Sequence, residues 1–243
     1  KKFINNIKNL VKDLNLNVDN FIPSPLSSSL ATLSEDEKNL GSICIDLGHS
    51  STSSAIFENK QFIFCDAFLV GSNNVTNDIA RGVSTTISSA ERLKTLYGSV
   101  ISSPSDEHEI IEIPVISGEN NQFNQITRST VNSIIKPRIE ETLEIVWQKI
   151  KQNNLHTKKI NNVVLTGGGS LLEGIAEYAK IIFSSNVRVG KPLEILGNKD
   201  FLSTPATSDI IGTILFDVEQ YRLKFLNNSK KNRKFQGFQG FFS

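Results

Sequence analysis

The sequence has little of several residue types that mark particular protein classes. Its 243 residues include no methionine, so we expect the chain to begin inside a longer protein. Its two cysteines, Cys44 and Cys65, are too few for a disulfide framework and suit a reducing compartment. No apolar run approaches the roughly 18 residues of a membrane span, and no secretory signal is recognisable at the start.

Acidic and basic residues are almost equal in number. The formal net charge is +1, which excludes a protein that binds nucleic acid through its overall charge, and we expect no nucleic-acid partner. Residues 221–243 nevertheless hold six basic residues and no acidic one, so the remaining 20 basic residues stand against 25 acidic ones. We therefore expect a mildly acidic body followed by a basic tail.

The hydrophobic periodicity predicts an α/β protein with a mixed sheet. Three strands, Ser42–Leu47, Ser53–Glu58 and Gln61–Leu69, follow one another across short turns and should pair antiparallel. A fourth strand, Asn161–Thr166, must join the sheet by a crossover. Shorter strands are predicted near 109–115 and at 186–189.

The longest helical pattern covers residues 127–154 and has one apolar face. Pro137 lies inside it and should kink or divide the helix, because proline lacks a backbone N–H group. The other predicted helices are 1–16, 26–33, 74–82, 88–97, one from about Ser170, and 207–220.

The first motif with chemical meaning is Asp46-Leu-Gly-His-Ser-Ser-Thr52, between two predicted antiparallel strands. Such a turn can direct several backbone N–H groups and hydroxyls at an anion. An acid at the end of the strand can hold Mg²⁺ through water beside phosphate groups. Asp, Gly and Ser are also the usual residues of an ordinary hairpin turn, so both interpretations stay open from these residues alone.

The second motif is Thr166-Gly-Gly-Gly-Ser170, where a predicted strand meets a predicted helix. Three residues without Cβ atoms let a ligand lie flat against the backbone, and a helix N-terminus favours anions or polar groups. The motif is neither a Walker A loop nor the dinucleotide fingerprint. A tight structural turn is the alternative, and three consecutive glycines make it less favoured because each costs chain entropy.

The third motif is a pair of charges, Glu91 and Lys94, on one side of a predicted helix. Taken alone, the pair is better explained as a solvated ion pair than as a binding site.

In this order the three motifs resemble the superfamily of actin, Hsp70 and sugar-kinase ATPases. Closer features resemble the FtsA family of bacterial cell-division proteins over nearly the whole chain up to about residue 220. These features are Pro25-Leu26 to Leu33 with Ser34-Glu-Asp-Glu-Lys38, Val75-Thr-Asn-Asp-Ile-Ala80, Ala90-Glu-Arg-Leu-Lys94 with Tyr97-Gly98, Ile135-Lys-Pro-Arg138, Val163 to Gly169 and Val187-Arg-Val-Gly190.

The resemblance implies an actin-like, ribonuclease-H-like fold, in which helices flank a mixed five-stranded sheet and a smaller α+β subdomain is inserted. The chain would be roughly the C-terminal half or more of such a protein. The implied division is residues 1–40 and 201–220 in the first core subdomain, 41–69 and 130–200 in the second, 70–129 as the insertion, and 221–243 as a tail.

The resemblance also implies ATP and Mg²⁺ as cofactors. Asp46 would lie near the metal, with contact through water. The second phosphate loop would be Gly48, His49, Ser50, Ser51 and Thr52; Glu91 and Lys94 would reach the ribose and adenine; and Gly167, Gly168, Gly169 and Ser170 would line the adenosine.

The phosphate loop departs from the family pattern Asp-x-Gly-Gly-Gly-Thr-x-Asp. His49 and Ser50 replace two glycines, and Ser53 stands at the place of the second acid. Their side chains would crowd the phosphates, and the missing acid removes a contact to metal or water. The resemblance therefore implies ATP binding with at most weak ATPase activity, and no catalytic residue is assigned.

The resemblance also implies a partner site. The insertion and the start of the following helix resemble the family's binding site for the C-terminal peptide of FtsZ, and Arg138 and Glu141 fall in this region. An exposed arginine near the start of a helix can pair with an acidic peptide. Ordinary surface charge on a helix is an equal alternative.

The tail suggests a membrane surface as a second partner. Phe235, Phe238, Phe241 and Phe242 follow a run of basic residues, which suits contact with anionic lipid. A soluble basic end is the alternative, since charge runs are often only solvated.

The implied function is an actin-like protein that polymerises and tethers the FtsZ ring to the inner face of the cytoplasmic membrane at the division site. It would be a peripheral membrane protein. A kinase or active ATPase would need a catalytic base, for which the sequence offers no candidate. An Hsp70-like chaperone would need a substrate-binding domain after residue 220. A pilus-assembly relative of the same fold is the nearest alternative, and the basic tail argues against it.

Overall fold

The computed structural model describes residues 2–115, 123–153, 162–193 and 202–221. The helices are α1 (Lys2–Asp13), α2 (Ser24–Thr32), α3 (Glu35–Leu40), α4 (Ser72–Gly82), α5 (Ile87–Tyr97), α6 (Arg128–Gln152), α7 (Ile175–Phe183) and α8 (residues 208–221). The strands are β1 (Ser42–Leu47), β2 (Thr52–Glu58), β3 (Gln61–Phe68), β4 (Ile110–Pro114), β5 (Phe123–Thr127), β6 (Asn162–Thr166) and β7 (Asn186–Val189).

Five strands form one mixed sheet in the order β3-β2-β1-β6-β7. β1 pairs antiparallel with β2 and parallel with β6, and β7 is parallel to β6. The long helix α6 makes the crossover that brings β6 beside β1. This confirms the predicted mixed sheet, the predicted antiparallel pairing of the first three strands and the α/β class. In the registers, Asp46 lies beside Ser53 on one side and beside Thr166 on the other.

The two faces of the sheet are covered unequally. The larger cluster packs one face against α4, α5, α6 and α7, and it includes the buried residues Ile43, Ile45, Ile79, Leu143 and Ile175. The opposite face carries a smaller cluster of Leu33, Cys44, Phe57 and Val164 under α2. Burial raises the pKa of the Cys44 thiol to about 11, so Cys44 acts as a packing residue rather than a nucleophile.

Helix α6 continues through Pro137 as one element of 25 residues, so of the two predicted effects of Pro137, a kink or a division, the division is wrong. Ile135 and Ile139 are buried on either side, whereas Pro137 and Ser133 are both exposed. Since Pro137 cannot donate to the carbonyl of Ser133, the lost hydrogen bond falls on the exposed side of the helix, where solvent can replace it.

Arg188 connects both α2 and α3 to the sheet. Arg188 of β7 donates to both carboxylate oxygens of Glu37, each at 2.7 Å, and to the carbonyl of Thr32 at 2.8 Å. Ser34 and Glu37 form a capping box that starts α3.

The segment between β3 and α6 contains α4, α5 and the two-stranded antiparallel pair β4–β5. This is the predicted mixture of helix and strand within residues 70–129. Within the described residues, no helix combines the length and the apolarity needed to cross a membrane.

Candidate functional site

A cleft of about 960 Å³ lies beside the ends of β1 and β6. The start of α2, the β1–β2 turn, the facing sides of α4 and α5, the turn after β6, and the start of α8 surround it. Segments far apart in the sequence thus contribute to one cavity, which is large enough for a small-molecule ligand.

The β1–β2 turn is fixed by hydrogen bonds to the start of α4. The carbonyls of Gly48 and His49 accept from the amides of Ser72 and Asn73 at 2.9 and 2.8 Å. The amide of Gly48 donates to the carbonyl of Ser51 at 3.0 Å. Among the described residues, the amides of His49 and Ser50 have no hydrogen-bond partner. The turn therefore directs carbonyls at α4 and leaves N–H donors for a ligand, which suits an anion.

Two carboxylates flank the first turns of α2. Asp46, at the end of β1, accepts a hydrogen bond from the hydroxyl of Ser28. Asp209, in the first turn of α8, accepts one from the hydroxyl of Ser27. Burial raises the pKa of Asp46, and the negative charge of Asp209 adds to this rise, although the Ser28 hydrogen bond opposes it. The cleft thus holds two neighbouring acids at one end.

Glu91 and Lys94 form a small polar cluster with α4. The ammonium of Lys94 lies 2.7 Å from a Glu91 carboxylate oxygen, 2.9 Å from the Thr76 hydroxyl and 3.3 Å from the Ser72 carbonyl. The Thr76 hydroxyl donates to Glu91 at 2.5 Å. Burial by itself raises the pKa of Glu91, but hydrogen bonds from Lys94 and Thr76 and the charge of Lys94 outweigh it, so the pKa lies below its usual range.

The turn after β6 packs directly on the end of β1. Gly167 has φ of 79°, and a Cβ atom there would lie 2.7 Å from the Leu47 carbonyl oxygen. By contrast, the nearest atom to a Cβ on Gly168 would be the Ala206 Cβ at 3.9 Å, so this residue leaves space toward the cleft. Gly167 therefore serves the packing of the turn, whereas Gly168 keeps the cleft open.

The α-helix predicted to begin at about Ser170 in fact begins at Ile175. Residues Gly168–Leu171 form a short 3₁₀ helix, and Gly174 with φ of 76° separates it from α7. The Ser170 hydroxyl is buried and donates to the Gly167 carbonyl at 2.7 Å. The α-helix N-terminus expected directly after the glycines is therefore not at the cleft.

Of the twelve residues predicted to bind nucleotide, all except Ser50 and Ser170 line this cleft. Ser50 is exposed on the β1–β2 turn. The cleft also includes residues that the sequence analysis did not single out, among them Ser24, Ser72 and Asp209. An acid in the first turn of a predicted helix was visible in the sequence for Asp209, but nothing there placed it opposite Asp46.

Arg138 and Glu141 lie elsewhere, at a groove of about 290 Å³ between α4 and α6. The Arg138 guanidinium lies 2.5 Å from an Asp78 carboxylate oxygen and also pairs with Glu141. Arg138 is in the interior of α6 rather than near its start, and it already has two carboxylate partners. The four phenylalanines of the predicted membrane tail lie outside the described residues.

Comparison with known proteins gives one consistent family. The family model described as Cell division protein FtsA matches residues 43–212. Relatives named Cell division protein FtsA include that of Rhizobium meliloti, 36% identical over 214 residues, or 88% of this chain and 48% of the relative. That of Escherichia coli K12 is 31% identical over 223 residues, or 89% of this chain and 53% of the relative. This chain spans about half the length of these relatives.

Solved structures with the same fold come from actin-like proteins. MreB5 of Spiroplasma citri bound to ADP matches with a TM-score of 0.72 at 18% identity, covering 92% of this chain and 67% of MreB5. The PilM–PilN type IV pilus biogenesis complex matches with a TM-score of 0.62 at 15% identity, covering 86% of this chain and 56% of the other. These likenesses concern the fold alone, and they confirm the predicted actin-like architecture.

Proposed function

This chain belongs to the FtsA family of cell division proteins, and we propose that its cleft binds ATP together with Mg²⁺. The observation that carries the proposal is the meeting of three separate polar motifs in one cleft. The β1–β2 turn, the Glu91–Lys94 pair and the glycine turn after β6 all line the same cavity of about 960 Å³. MreB5, which shares the fold, was crystallised with ADP.

In this proposal the phosphates lie against the β1–β2 turn, where the amide of His49 is available as a donor. The adenosine lies between the Glu91–Lys94 pair and the open space at Gly168. Lys94 is already held by Glu91 and Thr76, so both charged side chains are oriented before a ligand arrives.

The residues at the acidic end fit Mg²⁺. Magnesium prefers oxygen ligands and keeps several waters, and Asp46 presents a carboxylate into the cleft. Within the described residues, no three His, Cys, Asp or Glu side chains gather in one place, so the cation would take its other ligands from water and phosphate. When bound, Mg²⁺ would neutralise part of the phosphate charge. Asp46 would hold the water that contacts it.

We propose that ATP acts mainly as a ligand and that hydrolysis is weak. Ser53 stands where the family pattern has its second acid, so a carboxylate that could contact the metal or the attacking water is missing. The side chain of His49, which lines the cleft, takes space beside the phosphate position. A bound nucleotide would contact the helices α2 and α8 as well as the sheet. It would therefore favour one arrangement of these two helices relative to the sheet.

The ATP proposal is tested by filling the cleft at Gly168. We expect Gly168→Leu to reduce ATP binding at least about tenfold in isothermal titration calorimetry, because the side chain would occupy the open space beside the turn. Glu177→Gln, on the exposed side of α7, is the matched control and should bind as the parent does. Unchanged binding by a folded Gly168→Leu variant would contradict the proposed position of ATP.

We propose that the groove at Arg138 and Glu141 binds the C-terminal peptide of FtsZ. The groove is open, and Pro137 and Ile134 give it an apolar floor beside the charged side chains. An acidic peptide would have to replace one present partner of Arg138. Glu141 is the partner that can be displaced, because its side chain is 54% exposed, whereas that of Asp78 is 24% exposed.

Binding of an FtsZ C-terminal peptide to the full-length protein tests this groove. We expect micromolar affinity that Arg138→Glu abolishes, since the substitution reverses the charge that an acidic peptide would meet. Arg81→Glu, an exposed arginine of α4, is the control and should leave binding intact. Peptide binding that survives Arg138→Glu would move the partner site elsewhere.

Further parts of the proposal concern the whole protein. We propose that it polymerises, that the basic tail contacts anionic lipid, and that the protein works as a peripheral membrane protein at the division site, on the cytoplasmic side. We propose the division into core subdomains and insertion at the boundaries given above, supported by the five sheet strands falling within 41–69 and 130–200. Flotation with anionic vesicles, lost after Phe→Ser changes in the tail, tests the lipid contact.

A further inference from the structure

Asp209 is a charged residue of the cleft that the ATP proposal does not use. It lies in the first turn of α8 and reaches the acidic end of the cavity. Helix α8 crosses α2 closely, because a Cβ atom on Gly212 would collide with the carbonyl of Ser27. This crossing fixes Asp209 beside the start of α2, where Ser27 donates to its carboxylate.

Asp209 lies close to the N-terminus of α8 and to the hydroxyl of Ser27. The N-terminus of α8 carries the positive end of the helix dipole, which stabilises an acid in the first turn. The Ser27 hydroxyl adds a hydrogen bond to the carboxylate. The charge of Asp209 contributes to the raised pKa of Asp46. Two carboxylates thus share the end of the cavity where the ligand phosphates are proposed to lie.

We propose that Asp209 makes nucleotide binding depend strongly on a divalent cation, an inference that rests on the proposed binding of ATP in this cleft. Without a cation, two carboxylates and the polyphosphate repel one another. With Mg²⁺ present, the same carboxylates attract the cation that accompanies the phosphates. Asp209 therefore acts as a selectivity residue for the cation–nucleotide complex over the free nucleotide.

A purely structural role for Asp209 leads to different expectations. As an N-terminal residue of α8 that bonds Ser27, it would affect folding stability and leave the cation dependence of binding unchanged. The ratio of the nucleotide dissociation constants without and with Mg²⁺ separates the two roles, since a stability effect cancels in this ratio.

The experiment is calorimetric titration of the full-length protein with the ATP analogue AMPPNP, in Mg²⁺ and in EDTA. Asp209→Asn keeps an oxygen that can accept from Ser27 and removes the charge. We expect the ratio of dissociation constants in EDTA and in Mg²⁺ to fall about tenfold in this variant, as expected for loss of one like charge at a partly buried site. Asp217→Asn, an exposed acid on the same helix, should leave the ratio as in the parent.

A reduced ratio in Asp209→Asn alone supports the inference. An equal ratio in the parent and Asp209→Asn overturns it, while nucleotide binding itself stands. An equal fall in both Asp209→Asn and Asp217→Asn also overturns it, because the effect would be general charge. If the parent does not bind AMPPNP even with Mg²⁺, the proposed binding of ATP is wrong, and the inference that rests on it is overturned as well. If Asp209→Asn is unfolded by circular dichroism, Asp209→Ser replaces it in the same titration.

Discussion

The two turns that border the cleft follow neighbouring parallel strands but are built in opposite ways. Asp46 is the next-to-last residue of β1 and Thr166 is the last residue of β6, and the register places these two residues side by side. The β1–β2 turn carries the side chains of His49 and Ser50 and is held from outside by amides of α4. The turn after β6 carries glycines and is held by direct contact with β1. One turn thus presents side chains, and the other tolerates none at Gly167.

Two turns that border one cleft are thus under different structural constraints. The glycine turn is under a packing constraint, because Gly167 has no room for a Cβ atom. The carbonyls of Gly48 and His49 in the β1–β2 turn accept from amides of α4, so the exposed side chains of His49 and Ser50 can vary without loss of the turn. We therefore expect substitutions at Gly167 to act on folding and those at His49 to act on ligand binding.

The largest expected effect is at Gly167. Gly167→Ala should lower the free energy of unfolding by about 3 kcal/mol or more, since it combines a positive φ with a collision against the Leu47 carbonyl. Gly168→Ala, with open space around its Cβ position, should change it by no more than about 1 kcal/mol. Urea titration followed by circular dichroism measures both. Equal stability of the two variants would remove the contrast between the turns.

The next effect is at Thr166, which anchors the glycine turn to α8. Its buried hydroxyl lies 3.0 Å from the Gly190 carbonyl and 2.7 Å from the Ser208 hydroxyl. Thr166→Val should destabilise the protein by about 1 to 3 kcal/mol, because buried polar groups lose a partner. Thr213→Val, at an exposed site of α8, should lie within about 0.5 kcal/mol of the parent in the same titration. A neutral Thr166→Val would show that the anchor is dispensable.

Asp46 gives a smaller effect of opposite sign. Its pKa is raised by burial and by Asp209, so ionisation costs the folded state. The parent should therefore lose stability as pH rises from the ordinary aspartate pKa through the raised one. Asp46→Asn should therefore raise the free energy of unfolding of the ligand-free protein at pH 7, and this gain should vanish below the ordinary aspartate pKa. Thermal unfolding across pH tests this; a gain that persists in acid would contradict it.

The smallest effect on stability is at His49. His49→Gly should change the free energy of unfolding by less than about 1 kcal/mol, because the side chain is exposed and the turn is held through its backbone. It should tighten ATP binding a few-fold by removing bulk beside the phosphates. His108→Gly, outside the cleft, serves as the control in calorimetry. Weaker ATP binding by His49→Gly would mean that the imidazole contacts the ligand.

Much of the fold follows from local patterns in the sequence. The strands β1, β2 and β3 were predicted within one residue, because apolar runs bounded by turn residues define them. The meeting of Asp46, Glu91 and the glycine turn was indicated by family resemblance, since these residues are distant along the chain. The start of α7 was predicted too early because a 3₁₀ helix and Gly174 intervene, and the apolar pattern does not distinguish these from an α-helix.

Asp209 could not be placed from the sequence for a different reason. Its neighbours Asp46 and Ser27 come from β1 and α2, and no periodic pattern links them to α8. Only the close crossing at Gly212 brings the helices together. The same holds for Arg138, whose partner Asp78 lies on another helix. Contacts between elements decide whether an exposed charge is free, and local sequence does not encode them.

The adjacent serines of α2 limit how this helix can move. Successive residues of an α-helix point about 100° apart, so Ser27 and Ser28 reach carboxylates on two different flanks of α2. A spin of α2 about its own axis would break at least one of these hydrogen bonds. A tilt of α8 with α2, pivoting at Gly212, could keep the Ser27–Asp209 bond intact. The serine pair thus opposes rotation of α2 about its own axis but allows α2 and α8 to tilt together about Gly212.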